Sequence, residues 1–375
     1  MREQFLTACK RIVVKIGSSL VASPKGGLRL DRINRLAKEL GTIQATNREI
    51  VVVSSGAIVA GISHLALQTY PHELPLQQAA AAVGQSRLMR AYETAFEETH
   101  HKIAQILLTH QDLADRRRFL NARHTLTTLL QLGVIPIINE NDTVAIDEIR
   151  FGDNDTLAGQ VAHVVDADLL VILSDVNGLY TQDPHLHASA TLIPFVPVIT
   201  PEIEKSAGTS RTLNSRGGMI TKIRAAKQAG RFGVFTLLLN GETPLALQRV
   251  LDGQEGGTLF QPQESSLTSR KQWIAFTLRP KGDLVLDEGA VNALTRRGKS
   301  LLPSGIKKVI GTFMSGDPVT CVTEDGKSFA QGLTNYSSET LQRILGKKTS
   351  EIRELLGTLE YEEVIHRDNL VLTGP

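Results

Sequence analysis

The stretch Arg11-Ile12-Val13-Val14-Lys15-Ile16-Gly17-Ser18-Ser19 decides how the chain is read. Its apolar residues run without polar alternation, as in a strand covered on both faces, and it stops at a glycine and two hydroxyl residues. A lysine leaving a buried strand just before Gly-Ser-Ser is unusual. Gly17 lets the backbone approach a ligand, successive N–H groups in such a turn form an anion nest, and Lys15 would neutralise a phosphate there. The bland alternative is a strand that ends in an exposed lysine and a turn. The spacing is not that of the P-loop, Gly-x-x-x-x-Gly-Lys-Ser/Thr, which disfavours a P-loop nucleotide hydrolase.

Outward from this strand the pattern repeats. Apolar runs at 50–53, 103–108, 134–138, 169–173 and 234–239 predict further buried strands. Helical spacing predicts helices over 31–46, 77–98, 120–132, 155–165 and 218–229. Strands alternating with helices predict an α/β fold: an open, mostly parallel sheet sandwiched by helices. After about Gly257 the pattern changes. The polar stretch 260–270 reads as a linker between a first domain, 1–259, and a small β-rich second domain, 271–375. In the latter, short strands are predicted at 273–278, 283–286, 307–313, 319–322 and 328–333. Helices are predicted at 288–296, 337–345 and 350–355.

Composition excludes several classes. The chain has 375 residues with 41 basic and 39 acidic side chains, a net charge of +2, so bulk charge does not drive polyanion binding. Cys9 and Cys321 lie far apart and offer neither a disulfide framework nor metal-ligand spacing. No apolar run approaches the ~20 residues needed to span a bilayer. Lys10, Arg11 and Lys15 interrupt the first apolar run, so no signal peptide is expected. A cytoplasmic protein with no membrane contact and no protein-held metal is expected.

The remaining motifs fall after strands. Val53-Ser54-Ser55-Gly56-Ala57 is a second strand-to-helix turn that offers an anion a helix N-terminus. Ile138-Asn139-Glu140-Asn141-Asp142-Thr143 and Phe151-Gly152-Asp153-Asn154-Asp155 put carboxylates and amides at one end of the sheet, where they could bind an amino acid's charged groups or orient lysines. Asp155 could also simply cap a helix. Ser174-Asp175-Val176-Asn177-Gly178 reads as a loop. From Lys205 to Gly241 there are seven basic residues and no acid. Within that run Arg216-Gly217-Gly218-Met219-Ile220-Thr221-Lys222 suits a polyphosphate, and a solvated basic helix face is the alternative.

Together these pieces resemble the amino acid kinase family. The resemblance also rests on Ala82-Val83-Gly84-Gln85-Ser86-Arg87 and Phe119-Leu120-Asn121-Ala122-Arg123, in the family's order. The tail resembles a PUA domain through Asp287-Glu288-Gly289-Ala290, Ser300-Leu301-Leu302-Pro303-Ser304-Gly305-Ile306 and Asn335-Tyr336-Ser337-Ser338. The resemblance implies the amino acid kinase fold followed by a PUA domain. It further implies ATP- and Mg2+-dependent phosphorylation of the γ-carboxylate of L-glutamate, the first step toward proline.

By the family's pattern Lys15 and Lys222 would stabilise the transferred phosphoryl group and Asp155 would hold both lysines. Ser55, Gly56, Asp142, Asp153 and Asn154 would bind glutamate. Gly17, Ser174, Asp175, Gly217, Gly218 and Met219 would line the nucleotide site together with Lys15 and Lys222. Many relatives read Gly-Thr-Gly-Gly-Met where this chain has Ser215-Arg216-Gly217-Gly218-Met219, so no role is carried to Ser215 or Arg216. The family also implies feedback inhibition by proline and a homo-oligomer, dimer or tetramer. RNA binding by the tail is not favoured, because 271–375 carries 14 basic and 13 acidic residues. Rival readings are a kinase of aspartate, N-acetylglutamate, carbamate or uridylate, an RNA-binding protein, and a silent amino-acid sensor.

Overall fold

The predicted first strand, β1 (Arg11–Ile16), lies inside an eight-stranded sheet. The others are β2 (Glu49–Ser54), β3 (Ile103–Leu108), β4 (Ile135–Glu140), β5 (Leu169–Ser174), β6 (Phe195–Val196), β7 (Phe235–Asn240) and β8 (Thr258–Phe260). Their order is β3-β4-β2-β1-β5-β7-β8-β6. From β3 to β7 all neighbours are parallel; β8 returns antiparallel to β7, and β6 pairs with it in parallel. The computed structural model describes residues 2–23, 27–145, 154–184, 186–187, 189–208, 218–262, 274, 278–347, 352 and 362–373.

The sheet is a mostly parallel layer between helices, as its Val/Ile/Leu runs demand. Side chains alternate across a strand. Ile12, Val14 and Ile16 of β1 enter the core with Leu36 and Leu40 of the helix Leu30–Gln44 and with Tyr92 and Phe96 of the helix Leu74–Glu97. Val13 and Lys15 therefore face the opposite layer, in which the helices Asn154–Val164 and Met219–Arg231 pack on β1, β5 and β7 and on each other. The chain lays β2, β4 and β3 on one side of β1 and then crosses to place β5 and β7 on the other. That switch point is where open α/β sheets bind ligands, beyond the carboxyl ends of the strands.

Several boundaries moved for identifiable reasons. The helix expected from 77 starts at Leu74, because Pro75 in its first turn lacks the N–H that would go unbonded there. The helix expected from 120 starts at Arg116, capped by the Asp115 carboxylate, which accepts from Arg118 N at 2.9 Å. β3 is an edge strand and only partly buried, so the expectation that every strand is covered on both faces fails there.

The chain divides into two units, Met1–Ser265 and Ser266–Pro375. The second holds a five-stranded sheet: β9 (Gly282–Leu286), β10 (Ile306–Gly311), β11 (Pro318–Val322), β12 (Ser328–Leu333) and β13 (Leu370–Leu372). Its order is β10-β9-β11-β12-β13, antiparallel except where β11 lies beside β9. Leu284, Phe313, Val319 and Cys321 lie in its core. Asp287 and Ser337 cap the helices Glu288–Arg297 and Ser338–Ile344. Most of the expected linker, the strand expected at 273–278 and the helix expected at 350–355 lie outside the described residues.

Candidate active site

Lys15 is the second-last residue of β1, directed at the layer that holds the helix Asn154–Val164. Asp155, in the first turn of that helix, receives it: Lys15 Nζ lies 2.6 Å from Asp155 Oδ1, and both side chains are buried. Thr221 Oγ1 donates to Asp155 Oδ2 at 2.8 Å from the first turn of Met219–Arg231. Lys222, the next residue, is buried as well. Burial alone would raise the Asp155 carboxyl. The Lys15 and Lys222 charges, with hydrogen bonds from Lys15 and Thr221, outweigh it and hold the group below its ordinary range. Asp155 is thus an ionised carboxylate between two lysines on the carboxyl side of the central strands.

The basic run divides accordingly. Lys222 turns inward, Arg224 and Arg231 are exposed, and Lys227 pairs with Glu204. Gly218 precedes the helix with extended backbone, and Met219 opens it. Gly17 donates its N–H to Leu173 O at 3.2 Å, so that amide is not free for an anion. Those of Ser18 and Ser19, exposed at the start of the short helix Ser18–Val21, are the ones beyond the strand. A Cβ on Gly17 would stand 4.0 Å from Lys15 Nζ, so glycine keeps the approach to that ammonium open.

A second cluster sits one and two strands away. Asn154 Nδ2 lies 2.9 Å from Ser54 O, 2.9 Å from Ser55 Oγ and 3.0 Å from Asn139 Oδ1. Asn139 Nδ2 in turn donates to Gln85 Oε1 at 2.8 Å. Gly56 turns the chain with φ +108°, a conformation L side chains rarely adopt. Asp142 lies just past β4, and burial pushes its carboxyl up to about 6. On the far side of β1, Ser174 ends β5; it is buried, and its hydroxyl accepts from Val176 N at 3.3 Å. Asp175 beside it is exposed.

Lys15, Lys222 and Asp155 therefore come together, as do Ser55 and Asn154, while Gly56, Asp142, Ser174 and Asp175 line the same ends of the sheet. Asp153 and Gly217 lie outside the described residues. The sequence reading singled out neither Thr221 nor Asn139 nor Gln85 as a site residue, although all three lie inside quoted motifs. Their signal was a polar side chain close to a motif residue: Thr221 beside Lys222, Gln85 beside Gly84 and Asn139 three residues before Asp142. The Phe119–Arg123 motif serves as a brace. Phe119 packs on the His163 ring, which stacks on Phe232 at 3.8 Å, and Arg123 pairs with Asp166. The helix that carries Asn154 and Asp155 is thereby held at its other end.

Two buried lysines sharing one buried carboxylate, at the switch point of an open parallel sheet, define a site that handles phosphate-like anions. The chain belongs to the amino acid kinase family, whose model matches residues 10–238. A PUA domain model matches 282–356. The chain is 51% identical over 372 residues to the glutamate 5-kinase of Geobacter sulfurreducens, covering 99% of this chain and 100% of that protein. It is 52% identical over 372 residues to the Geobacter metallireducens glutamate 5-kinase, with the same coverage. The Thioalkalivibrio sulfidiphilus glutamate 5-kinase is 48% identical over 369 residues, 98% of each chain. No helix among the described residues is long and apolar enough to cross a membrane.

Proposed function

We propose that this protein transfers the γ-phosphoryl group of ATP to the γ-carboxylate of L-glutamate, the first step toward proline. The observation that carries the reading is Asp155 held 2.6 Å from Lys15 with Lys222 beside it. The acceptor carboxylate, with a pKa of about 4.3, is already ionised at neutral pH and needs no base. The difficulty is an anion attacking an anion, which charge neutralisation and in-line positioning must overcome. Lys15 and Lys222 supply the positive charge, and Asp155 and Thr221 fix where it stands. Ser18 and Ser19 amides and the start of Met219–Arg231 receive nucleotide phosphates near Gly17, Gly217, Gly218 and Met219. Ser174 and Asp175 lie toward base and ribose.

Among the described residues no three metal-ligating side chains converge, and Asp155 is committed to Lys15 and Thr221. This donor set fits a magnesium ion that arrives on the nucleotide's phosphates and water, where it would offset phosphate charge. Ser55, Gly56, Asn154, Asp153 and Asp142 hold the amino acid, with Asp142 taking its ammonium. Proline shares the α-carboxylate and amine and would compete for the same pocket. We assign the active form to a homo-oligomer, dimer or tetramer. In the second unit a cleft of about 700 Å³ is lined by Asp287 as well as Lys299 and Arg367. With the tail's near balance of charge, a structural or regulatory role is favoured there over RNA binding.

Asp142 gives this reading a pH dependence. An ammonium partner needs the ionised carboxylate, whose pKa of about 6 lies above the ordinary value. Above pH 6 the group is charged and glutamate binds without proton release. Below it, a proton must leave first, so the glutamate KM is expected to rise up to about tenfold per pH unit between 6 and 5. A flat KM over that window in a steady-state pH series would remove Asp142 from this role.

The reaction itself is tested by trapping the acyl phosphate with hydroxylamine in the presence of ATP and magnesium. Hydroxamate is expected from glutamate and not from aspartate or N-acetylglutamate, and it should vanish in Lys15→Ala and Lys222→Ala. Turnover of another acceptor would keep the mechanism and overturn the substrate.

A further inference from the structure

The three amides of the second cluster have their orientations fixed by one backbone atom. Ser54 O can only accept, so the group of Asn154 beside it, 2.9 Å away, is the NH2. That NH2 meets the oxygen of Asn139 at 3.0 Å, which leaves the Asn139 NH2 to donate to the oxygen of Gln85 at 2.8 Å. The relay ends at Gln85 Nε2. This nitrogen is shielded from solvent and has no acceptor among the described residues. Turning Gln85 over does not help, because two NH2 groups would then oppose each other. A shielded donor left over by a fully directed relay is a group kept for a ligand acceptor.

Strand order says which acceptor. Lys15 lies on β1, Ser54 on β2 and Asn139 on β4, and these strands are adjacent in that order. The relay therefore leads away from the lysines by two strand spacings, about 10 Å. If the γ-carboxylate is held at the lysines, the relay ends at the amino-acid end of the substrate, whose acceptor is the α-carboxylate. We infer that Gln85 Nε2 donates a hydrogen bond to the substrate's α-carboxylate and helps select an α-amino acid. This rests on the proposal that glutamate is the acceptor.

The test is steady-state kinetics of Gln85→Met and Gln85→Glu, with melting curves for each. Gln85→Met keeps the length and removes both the donor and the acceptor for Asn139, whereas Gln85→Glu removes the donor alone. The methionine variant's glutamate KM is expected to rise about tenfold or more with the ATP KM near wild type, and the loss of the Asn139 acceptor should lower the melting temperature by a few degrees. Gln85→Glu, which can still accept from Asn139, puts an anion against the carboxylate and should raise the glutamate KM further. Should the methionine variant fail to fold, Gln85→Asn retracts the same donor by one methylene and must show the same split.

An unchanged glutamate KM in Gln85→Met overturns the inference. So does a joint rise of both KM values with a lowered melting temperature, and so does tighter glutamate binding by Gln85→Glu, which would mean an ammonium partner. If wild type fails to turn over glutamate at all, the functional reading has failed instead.

Discussion

Replacing Asp155 with asparagine is expected to lower kcat by about 10²–10³-fold while the glutamate KM changes by no more than about threefold. Asparagine is nearly isosteric, so the shape of the site survives. The charge does not. Asp155 is 2% exposed, accepts from Thr221, and lies 2.6 Å from the Lys15 ammonium. Without it, two buried ammonium groups repel each other with no counter-charge, and desolvation drives each toward its neutral form. One lysine then shifts or loses its proton, and the positive field that offsets the anionic reaction is lost. The contacts proposed for glutamate at Ser55, Gly56 and Asp142 do not pass through this carboxylate.

The same substitution should leave a second mark. A carboxyl held below its ordinary value stabilises the folded state above about pH 4, and that contribution disappears as acid protonates it. Removing one partner of a buried pair costs roughly 3–5 kcal/mol. Asp155→Asn should therefore melt lower than wild type at pH 7, and the gap should close toward pH 3. Equal losses in kcat and glutamate affinity would show that Asp155 shapes the pocket rather than the charge.

How much of this could be seen in the sequence depended on whether the signal was local. β1, β2, β4, β5 and β7 were legible because a strand buried on both faces writes an unbroken apolar run. β6, β8 and β13 were not, since two or three residues carry no period. The helix Ala246–Leu251 follows Leu245 at φ +56°, a start that no capping residue announces. Lys15 stood out by type, as a charge at the end of an apolar strand, and Asp155 as one of a cluster of carboxylates and amides at the start of a helix. Thr221, Asn139 and Gln85 did not, because neutral polar groups are common in turns and their meaning lies in which atom faces which. Gly84 was legible as part of a motif, but its reason was not: a glycine inside a helix shows nothing of what approaches it from another.

That reason gives the second large effect. The helices Ala57–His64 and Leu74–Glu97 cross with their backbones in contact at two glycines. A Cβ on Gly84 would stand 1.8 Å from Ala57 O and 2.5 Å from Gly61 N; one on Gly61 would stand 1.7 Å from Ala80 O. None of these neighbours is a side chain that can swing aside, so Gly84→Ala must push the helices apart. Overpacking of this kind costs about 3 kcal/mol or more, a fall in melting temperature of roughly 6–12 °C. The exposed neighbour Ala82 provides the control, and Ala82→Ser should stay within about 0.5 kcal/mol. The damage should also reach the site, for Ala57 begins the helix that follows Ser55-Gly56, and Gln85 sits next to Gly84. If Gly84→Ala folds at all, the glutamate KM should rise while the ATP KM holds, since the nucleotide site is proposed on the β5–β7 side. A variant that melts and binds glutamate like wild type would mean that the two helices do not cross this closely in solution.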